Sequence, residues 1–340
     1  MLGMDIGENT IGVEAKVAFL SRPEAYPDKP AHVEVIETHM SYVFLTDRHA
    51  YKLKKPVRYA YLDFSTLALR HKDCEAELIL NRRLSPDVYL GLVPLTEMSG
   101  ILALGGAGAP VDWLVKMRRL PRERMLDSMI RARTLTPADV EPAAALLARF
   151  YGRVARVPIA ASAYLDRFAQ EIDDNDRELR LFGMPGDLVA RILAEQRRFL
   201  KTERSRLERR AREGHIVEGH GDLRPEHVHL GPPPSIIDCL EFSRALRTLD
   251  PLDEIGFLAM ECERLDAGFV GDIFLSAYLR ASGDRAAPDL FRFYKAFRAC
   301  LRARIALWHL LEPNPREPEK WPRLALDYLR LAERCMKRIA

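Results

Sequence analysis

The chain has 340 residues, of which 48% are hydrophobic and 30% are charged, a composition typical of soluble globular proteins. At this length we expect two lobes or domains instead of one core. The 52 basic residues are nearly balanced by 49 acidic ones, which leaves a net charge of only +3. That balance does not indicate binding to nucleic acid or to an anionic membrane surface.

The cysteines and the N-terminus indicate the compartment. The cysteines lie far apart and form no C-x-x-C pair, so we expect neither a disulfide framework nor a Cys-type zinc site. Residues 1–13 contain Asp5 and Glu8 and lack the basic-then-apolar order of a secretory signal. No apolar run approaches the roughly 18 residues of a membrane span. We therefore expect a cytoplasmic protein without a membrane partner.

The first third of the chain has the pattern of a small β-rich unit. Apolar β-formers alternate with turn residues from 15 to 57, and a helical spacing of apolar residues follows from Ser65 to Leu84. The predicted strands are Val33–Ile36, Tyr42–Leu45, Tyr51–Leu53, Leu92–Leu95, Ile101–Leu104 and Trp113–Met117. Three of these strands precede the helix and three follow it, and the pattern ends near residue 119.

Helical patterns dominate after residue 120. Thr136 followed by Pro137 is a strong helix start, because Thr caps the first turn and Pro fits its first position. The predicted helices are Ala143–Val154, Ser162–Leu181, Gly186–Arg212, Leu252–Leu265, Phe269–Ala281, Pro288–Leu311 and Trp321–Ile339. Short strands interrupt this series once, between Ile216 and Phe242.

The interruption contains the most informative motif, His-Gly-Asp-Leu-Arg-Pro-Glu-His at 220–227, followed by Ile-Ile-Asp at 236–238. Pro225 excludes a helix interior, and the three prolines at 232–234 force an extended turn before a short buried strand. Asp222 is thus expected on a loop and Asp238 at a strand end, brought together by a hairpin-like connection. Phosphoryl transfer uses two such carboxylates, one for the acceptor's proton and one for the metal that holds the nucleotide phosphates.

This segment resembles the catalytic core of the aminoglycoside and choline phosphotransferases, a branch of the protein-kinase-like fold. Their signature is His-Gly-Asp, four residues, Asn, and then an Ile-Asp strand end. The resemblance is closer to a bacterial aminoglycoside-phosphotransferase-like group, some of whose members carry a second, P-loop kinase domain. Residues 38–45, 51–56 and 238–250 support it, and it covers roughly residues 15–270. No G-x-x-x-x-G-K-[ST] motif occurs, so we expect that second domain to be absent.

The resemblance implies an α+β, bilobal protein-kinase-like fold. Residues 1–119 would form a small N-lobe, with a nucleotide-binding β-sheet and one helix. Residues 120–340 would form a larger, mostly helical C-lobe, with the catalytic loop at 215–242.

The motif supplies the candidate catalytic residues. Asp222 would be the catalytic base and Asp238 the primary Mg²⁺ ligand, although a loop Asp also caps turns and a strand-end Asp also accepts from backbone amides. Arg224 would neutralise charge on the transferring phosphoryl group, or form a surface salt bridge. His227 stands where the family has Asn, the second metal ligand. If His227 is also a ligand, the site would prefer Mn²⁺, because imidazole suits Mn²⁺ better than Mg²⁺. The alternative is a hydrogen-bonded loop histidine.

The N-terminal lobe supplies the candidate nucleotide-binding residues. Lys52 and Lys54 share one face of a strand, and Lys52 is our first choice for the phosphates because Ala50 precedes it by two positions. Glu77 is the expected helix partner of the lysine, with Glu75 as its rival.

Two more positions in this lobe are candidate nucleotide contacts. Ser41, or backbone amides of its turn, stands where the family's phosphate-covering hairpin would be. Met117 is expected just after a strand, with its backbone contacting adenine, although a core methionine is the ordinary alternative.

The leading functional hypothesis is an ATP- or GTP-dependent kinase that uses Mg²⁺ or Mn²⁺ and transfers the γ-phosphate to a hydroxyl of a small molecule. One alternative is a nucleotide-binding pseudokinase that acts through protein contacts, suggested by His227 and by a hairpin without glycines. Another is a metal-dependent phosphohydrolase built on the histidines around Asp222. The sequence indicates neither the acceptor, the choice of nucleotide nor the oligomeric state.

Overall fold

A computed structural model describes residues 11–59, 62–285, 287–312, 315 and 317–339. Residues 1–10, on which the expected absence of a secretory signal partly depends, lie outside the described residues. The chain divides into two compact units. The first runs to Pro121 and includes Ile237–Ser243, and the second is Arg122–Ile236 together with the chain from Arg244 onward. The segment Ile237–Ser243, which we had assigned to the C-lobe, thus belongs to the first unit.

The first unit is built on a six-stranded antiparallel sheet with the order β1-β2-β3-β8-β6-β7. Its strands are β1 Glu34–Glu37, β2 Ser41–Leu45, β3 His49–Lys54, β6 Tyr89–Met98, β7 Ile101–Leu104 and β8 Ala109–Arg118, with a separate hairpin of β4 Arg58–Tyr59 and β5 Leu62–Asp63. Each predicted strand of this lobe is present. The strand β3 lies between β2 and β8, so both of its edges are hydrogen-bonded.

One helix of this unit was not predicted. α1 (Val13–Leu20) occupies residues that we expected to be extended. The helix-favouring residues of this segment outweigh its two valines, and Lys16 anchors it. The Lys16 ammonium is 2.8 Å from Asp112 Oδ2 and 2.9 Å from the Val111 carbonyl oxygen. Because Asp112 also receives two hydrogen bonds from the Arg70 guanidinium, this buried cluster joins α1 and α2 (Leu67–Arg82) to β8.

The helix α2 carries the candidate glutamate, and its boundaries agree with the prediction. Thr66 caps it by accepting a hydrogen bond from the Leu69 amide at 3.2 Å. The side chains of Cys74, Glu77 and Asn81 follow helical spacing and are buried. Glu77 therefore lies on the inward face of the helix, whereas Glu75 is exposed on the outer face beside His71.

The second unit is mostly helical. Its helices are α3 Leu126–Ala132, α4 Pro137–Arg153, α5 Ala161–Leu181, α6 Gly186–Thr202, α7 Arg204–Arg212, α8 Arg244–Arg247, α9 Pro251–Arg264, α10 Phe269–Ser282, α11 Pro288–Trp308 and α12 Lys320–Lys337. Its short strands form two antiparallel pairs, β9 Val217–Glu218 with β12 Thr248–Leu249, and β10 Val228–His229 with β11 Ser235–Ile236.

The helices of this unit differ from the prediction at three points, one of them the four-residue α8, which was not predicted. The predicted helix Gly186–Arg212 is interrupted at Glu203, where the backbone leaves helical geometry and the amides of Arg206 and Leu207 bond back to the Glu203 carbonyl to start α7. No proline or glycine marks that break. The short α3 was also not predicted, because only about two helical turns of periodic residues precede the left-handed Arg133.

The helix α9 forms the centre of the second unit. Every residue from Pro251 to Cys262 is buried, including three acidic residues. Asp250 caps the helix by accepting from the Leu252 amide at 2.9 Å, and Pro251 occupies the first turn. The buried carboxylates are paired, for example Asp253 with the Arg298 guanidinium at 2.6 and 2.7 Å. This pairing lets an acidic helix occupy the core.

The structure confirms the α+β class, with a small β-rich unit and a larger helical one. Among the residues that the structure describes, no helix combines the length and apolar character that crossing a membrane requires.

Candidate functional site

The two candidate lysines of β3 point to the same carboxylate. The Lys52 ammonium lies 3.0 Å from Glu77 Oε1 and 2.8 Å from Asp238 Oδ1. The Lys54 ammonium lies 2.7 Å from Glu77 Oε2 and also contacts Asp73 and Glu241. Each oxygen of Glu77 is therefore bonded to a different lysine. This arrangement follows from the period-two alternation of strand side chains, which puts Lys52 and Lys54 on one face.

The two lysines differ in access to solvent. The Lys52 side chain is 14% exposed, whereas the Lys54 side chain is 1% exposed and Glu77 is completely buried. Lys54 is enclosed by carboxylates, and Lys52 lies at the edge of the cluster next to Asp238, whose side chain is 44% exposed. Of the two, only Lys52 is placed where a ligand from solvent can reach it.

Asp238 is held in an unusual backbone conformation. Its φ angle is +61°, in the left-handed region that non-glycine residues rarely adopt. Its amide donates to the Tyr89 hydroxyl at 3.0 Å, and the next amide, of Cys239, donates to Asn81 Oδ1 at 2.8 Å. Asn81 in turn donates to the Glu77 carbonyl at 2.9 Å. The helix that carries Glu77 thus also fixes the backbone beside Asp238.

The electrostatics of this cluster favour a further cation. Burial acts to lower the pKa of Lys52, but Asp238, Glu77 and Glu241 outweigh it and hold the pKa well above its usual value. For Lys54, burial likewise opposes a net rise in pKa, caused mainly by Glu241 and Glu77. Burial raises the pKa of Glu241 despite both lysines. Because four carboxylates surround two ammonium groups, these six groups together carry a net charge of about −2 when all are ionised.

The remaining candidates of this unit lie in the sheet. Ser41 begins β2, after a tight turn in which its amide donates to Thr38 Oγ1 at 2.9 Å, and the two hydroxyls are 3.1 Å apart. We expected Met117 just after its strand, but it lies inside β8. The sheet continues past it because the Arg118 amide bonds to the Val88 carbonyl. The Met117 side chain packs in the core with Ala50 and Val115.

In the second unit, the loop with Asp222 is anchored from behind by Glu254 of α9. The Glu254 carboxylate accepts hydrogen bonds from the amides of His220 at 2.9 Å and Gly221 at 2.5 Å, and from the Tyr151 hydroxyl at 2.5 Å. Gly221 has a φ of +88°, which only glycine adopts without strain. The loop backbone therefore turns over a buried carboxylate.

Asp222 itself is paired with Arg224 on the same loop. The Arg224 Nε atom lies 3.0 Å from Asp222 Oδ1, and the guanidinium also reaches Glu226 at 2.7 Å. Burial opposes the resulting rise in the pKa of Arg224, which these two carboxylates cause. The Asp222 side chain is 26% exposed, so it is fixed in direction yet accessible.

His227 contributes to the shape of this loop. Its Nδ1 is 2.8 Å from the backbone oxygen of Asp222. Because a carbonyl only accepts, Nδ1 carries the proton in this contact. The Arg224 guanidinium lies 3.4 Å from Nε2 of the same ring. The structure thus brings together Asp222, Arg224 and His227 in one unit, and Lys52, Lys54, Glu77 and Asp238 in the other.

The donor set fits a magnesium–nucleotide site. Within the described ranges, no cluster of three or more His, Cys, Asp or Glu side chains has the arrangement of a metal site. Mg²⁺ in kinases is held by one or two carboxylates together with substrate phosphates, so it needs no such cluster. The solvent-accessible carboxylate of Asp238, beside an excess of negative charge, provides the oxygen donor that this mode requires.

Sequence reasoning missed the residues that support the site. Asp73 and Tyr89 carry no recognisable motif. Glu254 had one signal, since it is an acidic residue within the otherwise apolar start of α9, and a buried carboxylate there requires polar partners. The rival Glu75 is excluded as the lysine partner because it is exposed and lies beside His71.

The anchor of the Asp222 loop can be tested with Glu254→Ala and Glu254→Gln. We expect Glu254→Ala to lower the free energy of unfolding by about 2–5 kcal/mol, since it leaves buried amides without an acceptor. Hydrogen exchange of residues 219–224 should become at least tenfold faster. Glu254→Gln keeps the acceptor oxygen and should recover most of the protection. Equal exchange in both variants would show that the carboxylate does not hold the loop.

Comparison with known proteins gives relatives by sequence and by structure. Three mycobacterial proteins, two from strains of Mycobacterium tuberculosis and one from Mycobacterium bovis, are 36% identical over 299 residues and carry the name "uncharacterized protein". The match covers 86% of this chain but 58% of each relative, so the chain spans little more than half their length. No protein-family model matches the chain.

Two of the solved structures that resemble the chain carry choline kinase names. A choline/ethanolamine kinase family protein from Mesorhizobium loti superposes with a TM-score of 0.54 at 17% identity, covering 95% of both chains. A choline kinase from Cryptosporidium parvum gives 0.52 at 10% identity, covering 95% of this chain and 94% of its own. The chain therefore has the protein-kinase-like fold of these choline kinase structures.

Proposed function

We propose that the protein is a phosphotransferase that moves the γ-phosphate of ATP or GTP to a hydroxyl group of a small molecule. The observation that carries the proposal is the Lys52 ammonium bridging Glu77 and Asp238. A strand lysine, a helix glutamate and a carboxylate for the metal are the parts that orient a nucleotide in protein-kinase-like enzymes. The names of the structural neighbours support the same reaction class, and we extend to this chain only phosphoryl transfer to an alcohol.

Lys52 is the residue that we assign to the nucleotide phosphates. It is the accessible lysine of the pair, and Glu77 directs its ammonium. Lys54 is enclosed by Asp73, Glu77 and Glu241, so it acts as a positioning residue that keeps the second oxygen of Glu77 in place. Ser41 and the backbone near Met117 remain candidate contacts of the phosphates and of the base.

Asp238 is the carboxylate that would hold Mg²⁺ or Mn²⁺. Such an ion, bound together with the nucleotide, neutralises phosphate charge and orients the transferred group. In the structure Asp238 Oδ1 accepts a hydrogen bond from the Lys52 ammonium at 2.8 Å. The same ammonium can then turn to the phosphates once the carboxylate charge is satisfied by another cation.

Asp222 is the residue that we assign to the acceptor. Its carboxylate would take the proton of the substrate hydroxyl as the oxygen bonds to the phosphorus atom. Arg224 holds the carboxylate in direction and offers a guanidinium to the negatively charged phosphoryl oxygens. Glu254 fixes the loop backbone behind it, so no loop ordering is required at the moment of transfer.

The roles of the two lysines are separable by substitution to methionine. Lys52→Met should weaken nucleotide binding by roughly 10- to 100-fold, the equivalent of one charge-assisted hydrogen bond. It should destabilise the free protein less than Lys54→Met, because Glu77 keeps its bond to the more deeply buried Lys54. Lys54→Met should destabilise the free protein by about 3–5 kcal/mol, because it leaves buried carboxylates uncompensated.

Thermal denaturation with and without ATP or GTP and Mg²⁺ or Mn²⁺ measures both effects. Lys55→Met is the matched control, since Lys55 follows β3 and pairs only with the partly exposed Glu37 among the described carboxylates. If Lys54→Met abolishes the nucleotide shift and Lys52→Met does not, the assignment is reversed. If no nucleotide and metal stabilise the wild type, the kinase proposal fails.

Asp222→Asn tests the chemical step. It preserves shape while removing the charge, so transfer or slow nucleotide hydrolysis should fall by roughly two to four orders of magnitude. Nucleotide affinity should stay within a few-fold of wild type. The control is Asp166→Asn, on the exposed face of α5, which should change neither the rate nor the nucleotide affinity. Equal, slow hydrolysis by wild type and Asp222→Asn, with no acceptor stimulating either, would favour a pseudokinase.

His227→Asn tests whether this histidine holds the loop or the metal. Since its Nδ1 is bonded to the Asp222 carbonyl and Arg224 faces its Nε2, we propose the loop role. The relative activity with Mg²⁺ and Mn²⁺ should then be unchanged in His227→Asn, whereas His227→Ala should speed hydrogen exchange at Asp222. A shift of preference from Mn²⁺ to Mg²⁺ in His227→Asn would instead identify His227 as a ligand.

A further inference from the structure

The second unit contains a cavity that the proposed reaction does not use. It lies among α9, α10, α11 and α12 and has a volume of about 280 Å³. Leu252, Leu275, Leu279 and Phe291 provide an apolar part of its wall. This size is near the lower end of the range for small-molecule pockets, which suits a small organic molecule better than a nucleotide.

The charged part of the wall is predominantly basic. Arg292 and Lys295 reach it from α11, and Arg334 and Arg338 from the last turns of α12. The acidic residues of the wall are Glu263 and Asp272. Glu263 is already paired with Lys295. Three arginines therefore face the cavity against one remaining carboxylate.

Arg334, in the last turn of α12, and Arg338, just past its end, indicate what the cavity can bind. Within the described part of the chain, neither Arg334 nor Arg338 has a carboxylate at ion-pairing distance, although most arginines of this unit do. The Arg292 guanidinium donates to the backbone carbonyl of Arg338 at 3.2 Å, which holds the end of α12 beside α11. The Arg334 and Arg338 side chains are both exposed and line the same apolar wall, so an anion that binds there meets two guanidinium groups that no described carboxylate occupies.

The start of α11 adds to the positive potential. Ala287 and Pro288 line the cavity, and Pro288 is the first residue of this 21-residue helix. The first amides of a helix lack intrahelical acceptors and carry the positive end of its dipole. The C-terminal end of α12, which carries Arg334 and Arg338, contributes the opposite sign, so the positive potential of the wall comes mainly from its side chains.

We propose that this cavity binds a small organic oxyanion, with a phosphate or carboxylate head on a short apolar tail. The head lies against Arg334 and Arg338, whose planar guanidinium groups match the oxygens of either head group. The tail lies along Leu275, Leu279 and Phe291. The ligand is bound without covalent change.

The cavity is distinct from the loop of Asp222. On α11 the cation that faces the Asp222 loop is Arg302, which pairs with Glu261 at 3.1 Å. Burial opposes the rise in its pKa, which Tyr328, Glu261 and, more weakly, Asp222 cause. Lys295, in the cavity wall, precedes Arg302 by seven residues, which is about 10 Å along the helix. The site therefore does not depend on the proposed reaction, and its test needs no activity assay.

The test uses titration calorimetry and thermal denaturation with hexyl phosphate, hexanoate, inorganic phosphate and 1-hexanol. We expect saturable binding of hexyl phosphate or hexanoate. Inorganic phosphate, which lacks the apolar tail, and 1-hexanol, which lacks the anionic head, should each bind at least fivefold more weakly. Comparing the two amphiphiles identifies the preferred head. Arg334→Glu/Arg338→Glu should weaken binding by roughly 10- to 100-fold, as expected for charge-assisted hydrogen bonds.

The matched control is Arg323→Glu/Arg330→Glu, which makes the same charge change at exposed positions of α12 outside the cavity wall. It should bind like the wild type. Leu279→Trp, which fills the cavity without changing charge, should also abolish binding. The proposal is overturned if neither amphiphile binds the wild type at about 10 mM, or if both double variants bind equally well.

Discussion

The carboxylate of Glu77 is the interaction on which the first unit depends. It is completely buried, and such a charge is tolerated only when strong partners compensate its lost hydration. Lys52 and Lys54 each bond one of its oxygens, and the backbone carbonyl of the same residue accepts from Asn81. Through these contacts one helix, one strand and the segment Ile237–Ser243 share a single polar centre. Packing alone would not fix the direction of the lysines so closely.

In the second unit, the buried carboxylates of α9 are likewise compensated by strong hydrogen-bond partners. Three of the acidic residues of α9 are buried, and each has a partner elsewhere in the unit, such as Arg298 of α11 for Asp253 and the loop amides of His220 and Gly221 for Glu254. A helix surrounded by such pairs cannot rotate or slide without breaking several charged hydrogen bonds. The loop that carries Asp222 is thereby attached to a buried helix at the centre of its unit.

The sequence was sufficient for the parts of the structure that local chemistry determines. The strands of the sheet, the capped helix α4 and the loop position of Asp222 follow from periodicity, proline and the motif. The pairing of Glu77 with a β3 lysine and the confirmed α+β class were implied by the family resemblance.

The remaining features depend on tertiary contacts. α1 forms because Lys16 finds Asp112, which lies 96 residues away in the chain. Glu254 and Asp73 have roles that only their neighbours reveal, and Met117 lies inside β8 because the sheet continues past it. The assignment of Ile237–Ser243 to the first unit could not be read from chain order, since its partners are residues 52–89.

The left-handed backbone of Asp238 has a consequence for how this protein can change. Glycine and asparagine adopt that conformation at lower energy than aspartate, so a substitution to either would relax the chain locally while removing the carboxylate. Fold and chemistry therefore make opposing demands at this position. Replacement of Asp238 by either residue would thus remove the metal ligand proposed for this site in one step, with no backbone strain to oppose it.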